Sequence, residues 1–208
     1  MGDRAVRNIF PLEDYLPQRT PQSLQVLLGQ REKHQKSRKL EVNTVTIEPF
    51  NMIALKVKGR MENFEAGLEV RKGWKKLKEI LSSDRSITME GNEGIVFYNQ
   101  GNMMQSDGTV ELWIGVKVSD IAHTPQECIC LTIPKRKYAK IDCCCFSRAE
   151  MDRRYTYLSE WIREKGYQID IGTDAFSLEP NRLDSFNPFE VPAHEIQTFD
   201  FDILYPIK

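Results

Sequence analysis

The residues with the clearest chemical potential lie in the closing segment Thr198-Phe199-Asp200-Phe201-Asp202-Ile203-Leu204-Tyr205-Pro206-Ile207-Lys208, where two carboxylates interrupt a run of aromatic and branched side chains. Strand side chains alternate between faces, so Phe199, Phe201, Ile203 and Tyr205 share one side, and Asp200, Asp202 and Leu204 the other. A carboxylate on a buried face is costly unless it is compensated. The segment therefore reads either as an edge strand with its acids in water or as one wall of a site that needs a buried acid.

The other reactive side chains offer less. Cys128, Cys130, Cys143, Cys144 and Cys145 fall in strand-like stretches without the paired C-x-x-C spacing of a zinc site, and read as reduced, mostly buried small hydrophobes. His34, His123 and His194 are far apart in polar, loop-like contexts, which suits solvated histidines better than a catalytic or haem-ligating set. No cofactor is implied.

Composition bounds the class. A chain of 208 residues, 40% of them hydrophobic, is long enough for one generous domain or two small ones. The 29 basic and 30 acidic residues leave a net charge of −1, so no global field draws the chain to nucleic acid or anionic lipid. No stretch approaches the roughly 18 apolar residues of a membrane span, and the start Met1-Gly2-Asp3-Arg4 lacks the apolar core of a signal peptide; a cytoplasmic protein is expected.

The elements that must position a site begin after residue 40. Residues 1–40 read as an extension: Pro11, Pro17 and Pro21 punctuate it, Thr20-Pro21 opens a short helix, and residues 30–39 form a basic stretch with no apolar position. That stretch lacks aromatic interleaving or a base-reading motif, so direct DNA binding is not expected. Phe10, Leu12, Tyr15 and Leu16 could dock on a protein partner, and deletion of residues 1–20 is expected to leave the fold intact.

Residues 41–208 show one order of elements twice. Residues 42–58 read as a strand with a turn at Pro49-Phe50-Asn51, followed by a helix that Asn63 can cap and that buries Val70, Trp74, Leu77 and Leu81, then strands at 94–99 and 110–118. A strand pair at 128–132 and 138–146 follows, then a helix opened by the capping box Ser147-Arg148-Ala149-Glu150, with the stripe Met151, Tyr155, Leu158, Ile162 and a closing Gly166. A strand-like stretch at 167–178, a loop containing Pro180, Asn181, Asn187, Pro188 and Pro192, and the terminal strand complete it. The reading is an α+β fold: a tandem β-α-β-β repeat with a pseudo-two-fold, a curved antiparallel sheet, two helices on one face, and a groove between the halves.

The segments EPFNMIALKVKG, GIVFYNQG, ELWIGVKV, LTIPKRKYAKID, YLSEWIREKGYQID and FDFDILYPIK, in this order, resemble the GyrI-like effector-binding domain found alone or attached to AraC- and MerR-type multidrug-responsive regulators. The resemblance covers residues 42–208. It implies a small-molecule binding protein with an aromatic pocket for lipophilic, often cationic, aromatic compounds, in a transcription-regulation or xenobiotic-response role. The family's acid four residues before the closing proline is typically a glutamate at the pocket floor, and its match here is Asp202. Relatives tend to carry a second acid followed by Tyr in the preceding strand; this chain reads Phe176-Ser177-Leu178-Glu179-Pro180, which counts against a two-acid pocket. Candidate walls are Trp113 with Glu111, Tyr98, Trp74, Phe199 and Tyr205. An Asp202 facing the groove should lie among aromatic rings with no Lys or Arg partner. The resemblance admits two other readings: a hydrolase of cyclopropanoid genotoxins using the same pocket, and an inhibitor of a larger enzyme acting by protein contact.

Overall fold

The computed structural model describes residues 40–60, 65–84, 86–120, 123–145, 147–183 and 199–208. All belong to the unit Leu40–Lys208. The expected helix at Thr20-Pro21, the basic stretch, the Asn63 cap, His34 and His194 lie outside the described residues.

Ten elements follow in order: β1 (Val42–Ile47), β2 (Phe50–Arg60), α1 (Glu65–Ser83), β3 (Met89–Asn99), β4 (Thr109–Val118), β5 (Ile129–Ile133), β6 (Arg136–Cys145), α2 (Arg148–Glu164), β7 (Phe176–Arg182) and β8 (Phe199–Pro206). The eight strands form one antiparallel sheet in the order β1-β6-β8-β7-β3-β4-β2-β5. The order is palindromic. Exchanging β2-α1-β3-β4 with β6-α2-β7-β8, and β1 with β5, returns the same sheet, so the two β-α-β-β halves meet where β3 pairs with β7. This is the α+β tandem repeat that the order of sequence elements implies.

The two outer strands change partners. Residues 42–58 are two strands rather than one strand with a turn: the chain breaks at Glu48-Pro49, β1 pairs with β6 of the second half, and β2 accepts β5 in return. Pro49 has no N–H for a ladder, and proline restricts the residue before it, so this is where the strand gives way. Phe50 and Asn51 already belong to β2.

The helices form as their patterns require. Ser147 caps α2 in an extended conformation and accepts a hydrogen bond from the Glu150 N–H at 3.2 Å, while Gly166, at φ +77°, takes the left-handed turn that ends it. On α1, Trp74 and Leu77 are buried against Leu55, Val57, Ile114 and Val116. On α2, Leu158 and Ile162 are buried against Ile141, Cys143, Phe201 and Ile203. Each helix thus covers its own half of one sheet face. The opposite face carries a third apolar cluster, including Met52, Phe97, Tyr138 and Leu204, which contains no helical residue. Among the described residues no helix is long and apolar enough to cross a membrane.

The second half differs from expectation in one place that matters for the site. Residues 167–175 are not strand: Ile169 makes a single bridge to Ile207, and the Asn99 side chain gathers the turn by donating to the carbonyls of Gly172, Thr173 and Ala175 at 2.6, 3.3 and 3.2 Å. The strand begins at Phe176 and runs through Pro180 and Asn181, residues that read as loop. Pro180 is tolerated because the β7–β8 ladder is interrupted there, pairing at Leu178↔Leu204 and Asn181↔Phe201 with no partner assigned between them.

Candidate functional site

The two helices cover separate halves of the sheet, and a cavity of about 440 Å³ opens over the central strands between them. Val70 and Trp74 of α1, Met151 and Tyr155 of α2, Tyr98 of β3, Leu112 of β4 and Phe199, Phe201 and Tyr205 of β8 contribute to its wall. One acid also contributes from β7, Glu179.

Glu179 stands directly opposite Val96 in the β3–β7 ladder, on the seam between the halves. Alternation along β7 sends Ser177, Glu179 and Asn181 to the helix-covered face, and Phe176, Leu178 and Pro180 to the other. Two hydroxyls converge on the carboxylate from the two halves: Tyr98 Oη donates to Glu179 Oε1 at 3.1 Å, and Tyr155 Oη donates to the same oxygen at 2.7 Å. Loss of solvation pushes the Glu179 carboxyl up to about 7. The two tyrosine hydrogen bonds favour the ionised form and pull the other way, but do not cancel the effect of burial. The phenols of Tyr98 and Tyr155 are driven well above their ordinary value, by burial first and then by the adjacent Glu179 charge. Tyr205 rises to about 12, chiefly through burial and then through the Glu179 charge. No lysine or arginine among the described residues bonds the Glu179 carboxylate. The result is a half-desolvated acid, held by neutral donors, at the floor of an aromatic cavity.

The residues singled out from sequence divide by sheet face. Trp74, Tyr98, Phe199 and Tyr205 are brought together around the cavity. Asp202 is not. Alternation along β8 turns it to the opposite face, where it is 6% exposed and paired with Lys140 at 2.5 Å and with Arg182. Arg182 also bonds Asp200 at 2.5 Å and reaches Asp142 at 3.5 Å, so Asp202 belongs to an ion cluster and not to an aromatic pocket without a cation. Trp113 and Glu111 are on that face too. Trp113 stacks on Phe97 with ring centroids 5.8 Å apart and meets Phe176 edge-on, while Glu111 pairs with Lys56 at 2.6 Å and Lys58 at 2.9 Å.

Glu179 is the functional candidate that reading the sequence missed. The signal was present: an acid on the same face as Phe199 and Tyr205 cannot be Asp202, which is an odd number of residues from both. Of the reactive side chains, Cys143 and Cys145 are buried thiols with Sγ atoms 3.5 Å apart, and all five cysteines are free. His123 is exposed beside Asp84. Among the described residues no group of three or more His, Cys, Asp or Glu is placed to hold a metal ion.

The family model for the integron-associated effector-binding protein, Cass2, matches residues 44–207. The chain belongs to this family. Its domain is of the GyrI-like effector-binding kind. Solved structures of the same fold include the C-terminal domain of EcmrR, at 10% identity and TM-score 0.58 over 82% of this chain and 99% of that one. SAV2435 bound to tetraphenylphosphonium matches at 10% identity and TM-score 0.53, over 81% and 94%. EcmrR in its complex with DNA matches at 12% identity and TM-score 0.58, over 90% of this chain and 64% of the EcmrR chain, so this domain spans less than two thirds of that regulator. At these identities the likeness is one of fold. No curated protein matches the sequence.

Proposed function

We propose that this effector-binding domain takes a lipophilic aromatic cation into the cavity between α1 and α2, with Glu179 as its charge partner, in a sensing or sequestering role. The observation that carries the reading is the Glu179 carboxylate at the cavity floor, hydrogen-bonded by Tyr98 and Tyr155 and lacking a cationic side chain among its bonds. An acid that burial holds near 7 is a site where an incoming positive charge recovers part of the solvation the fold removed. Delocalised cations suit it best: they lose less hydration on entry, and each aromatic face they meet adds about 0.5–2 kcal/mol of cation–π attraction. Trp74, Tyr98, Phe199, Phe201 and Tyr205 supply aromatic surface. The chemistry of tetraphenylphosphonium, the ligand of SAV2435, fits such a wall.

Calorimetric titration with tetraphenylphosphonium and with neutral triphenylphosphine oxide tests the assignment. At pH 8 the cation should bind the original protein, and Glu179→Gln should weaken it by about 1–3 kcal/mol, the cost of losing a charge partner in a partly desolvated site. The neutral compound should be indifferent to the change. An equal response of both ligands would make Glu179 a structural residue and remove the basis of the reading.

A further inference from the structure

We propose that the cation this cavity selects is an aromatic amidine, whose N–H groups donate to Glu179 and to Asn181 together, with Asn181 as the residue that sets the preference. This rests on the cation reading above, and it follows from which oxygen atoms of the cavity floor are left unused. Asn181 follows Glu179 by two residues on β7, so alternation places both side chains on the helix-covered face, and both contribute to the cavity wall. The Asn181 residue is 9% exposed, and its Nδ2 donates to the Glu179 carbonyl oxygen at 2.8 Å. A carbonyl only accepts, so this bond fixes the amide: the nitrogen turns to the backbone and Oδ1 turns away from it. Among the described residues no group donates to Oδ1, yet it is not sealed in by protein as the Trp113 Nε1 is. The cavity wall is where Asn181 meets open space. Glu179 also has an acceptor to spare, because both tyrosine hydroxyls donate to Oε1 and leave Oε2 to a ligand.

Two acceptors, one charged and one neutral, call for a ligand that brings donors to both. A cation shielded by carbon, such as a phosphonium within its phenyl groups, meets the charge but strips both oxygens of water and returns no hydrogen bond. An amidinium keeps a delocalised charge and carries its N–H groups in one plane, a nitrogen for each oxygen, and its bond to Oε2 is charge-assisted from both sides. The same floor has an aromatic side. Gly94 stands opposite Asn181 in the β3–β7 ladder, and a Cβ there would lie 3.1 Å from Cη2 of Trp74, so the missing side chain lets the indole reach the sheet beside the two acceptors. An aryl ring joined to the amidine can pack on it. A site that hydrogen-bonds its ligand rejects an analogue unable to donate, because its own polar groups are then left unpaired.

The test uses the full chain at pH 8 and two cations of equal charge on the same ring: 2-naphthamidinium, and its N,N,N′,N′-tetramethyl derivative, which has no N–H. Calorimetric titration of the original protein should show the parent amidine binding at least about tenfold more tightly, the size of one hydrogen bond to a charged group. Asn181→Leu keeps the volume and removes the acceptor; it should weaken the parent about tenfold and change the tetramethyl compound little. Thermal melts establish that the variant folds, and the comparison of the two compounds in the original protein needs no variant. Glu179→Gln should weaken both. Equal binding of the two by the original protein, tighter binding of the tetramethyl compound, or an Asn181→Leu variant that leaves the parent unchanged or weakens both alike overturns the amidine preference and leaves the cation site standing. Failure of both compounds to bind removes the cation site and the preference together.

Discussion

Replacing Glu179 with glutamine should change stability in a way that depends on pH, because the same desolvation that suits the carboxyl to a cationic ligand is a cost to the empty fold. Its proton affinity rises from an ordinary 4.5 to about 7 on folding. Each tenfold change in proton affinity is about 1.4 kcal/mol, so the ionised carboxylate costs the folded state about 3 kcal/mol. The sign follows from where protons are held. At pH 4.5 and below, the folded chain keeps the proton and the unfolded chain largely does, so glutamate and glutamine are nearly equivalent. Between 4.5 and 7 the unfolded chain releases its proton while the folded chain retains it, and stability falls as pH rises. Above 7 both are ionised and the full cost is present. Urea unfolding followed by tryptophan fluorescence should therefore give Glu179→Gln a stability close to the original at pH 4.5, and an advantage of about 2–3 kcal/mol at pH 8. The other titrating groups are common to both proteins and drop out of the difference. A gap of the same size at both pH values, or a variant weaker at pH 8, would refute the desolvated acid. A cationic ligand inverts the trend: its affinity should fall as pH drops below 7 and Glu179 takes up its proton, by at most about tenfold per pH unit, and should level off at the affinity of Glu179→Gln.

Two further perturbations probe the scaffold on either side of the sheet. Arg182→Met removes the shared partner of Asp142, Asp200 and the nearly buried Asp202, and should destabilise by about 2–4 kcal/mol at pH 7, in denaturant unfolding. Gly115→Ala would set a Cβ 2.6 Å from the Ile53 carbonyl oxygen across the β2–β4 ladder; backbone cannot move aside as a side chain can, and a loss of at least about 2 kcal/mol is expected, read as a lowered Tm.

How much of the fold could be read from sequence depended on how local its determinants are. The capping box at Ser147, the closing Gly166 and the Trp74/Leu77 and Leu158/Ile162 stripes are decided within a few residues, and they gave the helices directly. The repeat emerged from their order. The partner exchange of β1 and β5 did not, because pairing is set by contacts between distant strands and nothing in 42–47 names β6 as its neighbour. Pro180 was the most misleading residue. Proline beside asparagine is a turn signal in isolation, yet here it falls where the ladder to β8 lapses, a fact settled by the neighbouring strand and not by the local sequence.

That single misreading explains the misplaced acid. With 176–181 taken as the end of a strand and the start of a loop, Glu179 has no face, and the closing strand is left to supply the carboxylate. Once β7 extends through Arg182, two features fall into place together: Glu179 joins Phe199, Phe201 and Tyr205 on the helix-covered side, and Arg182 arrives on the opposite side to neutralise Asp200 and Asp202. The acids of β8 are compensated because the same strand that carries the cavity's carboxylate also carries, three residues on, the cation they need. Three is odd, so in a strand the two charges must part to opposite faces. The sheet thereby keeps Glu179 among tyrosines and surrounds the acids of β8 with Arg182 and Lys140, a segregation of ion-paired carboxylates from one held by neutral donors, on which the proposed cation site depends.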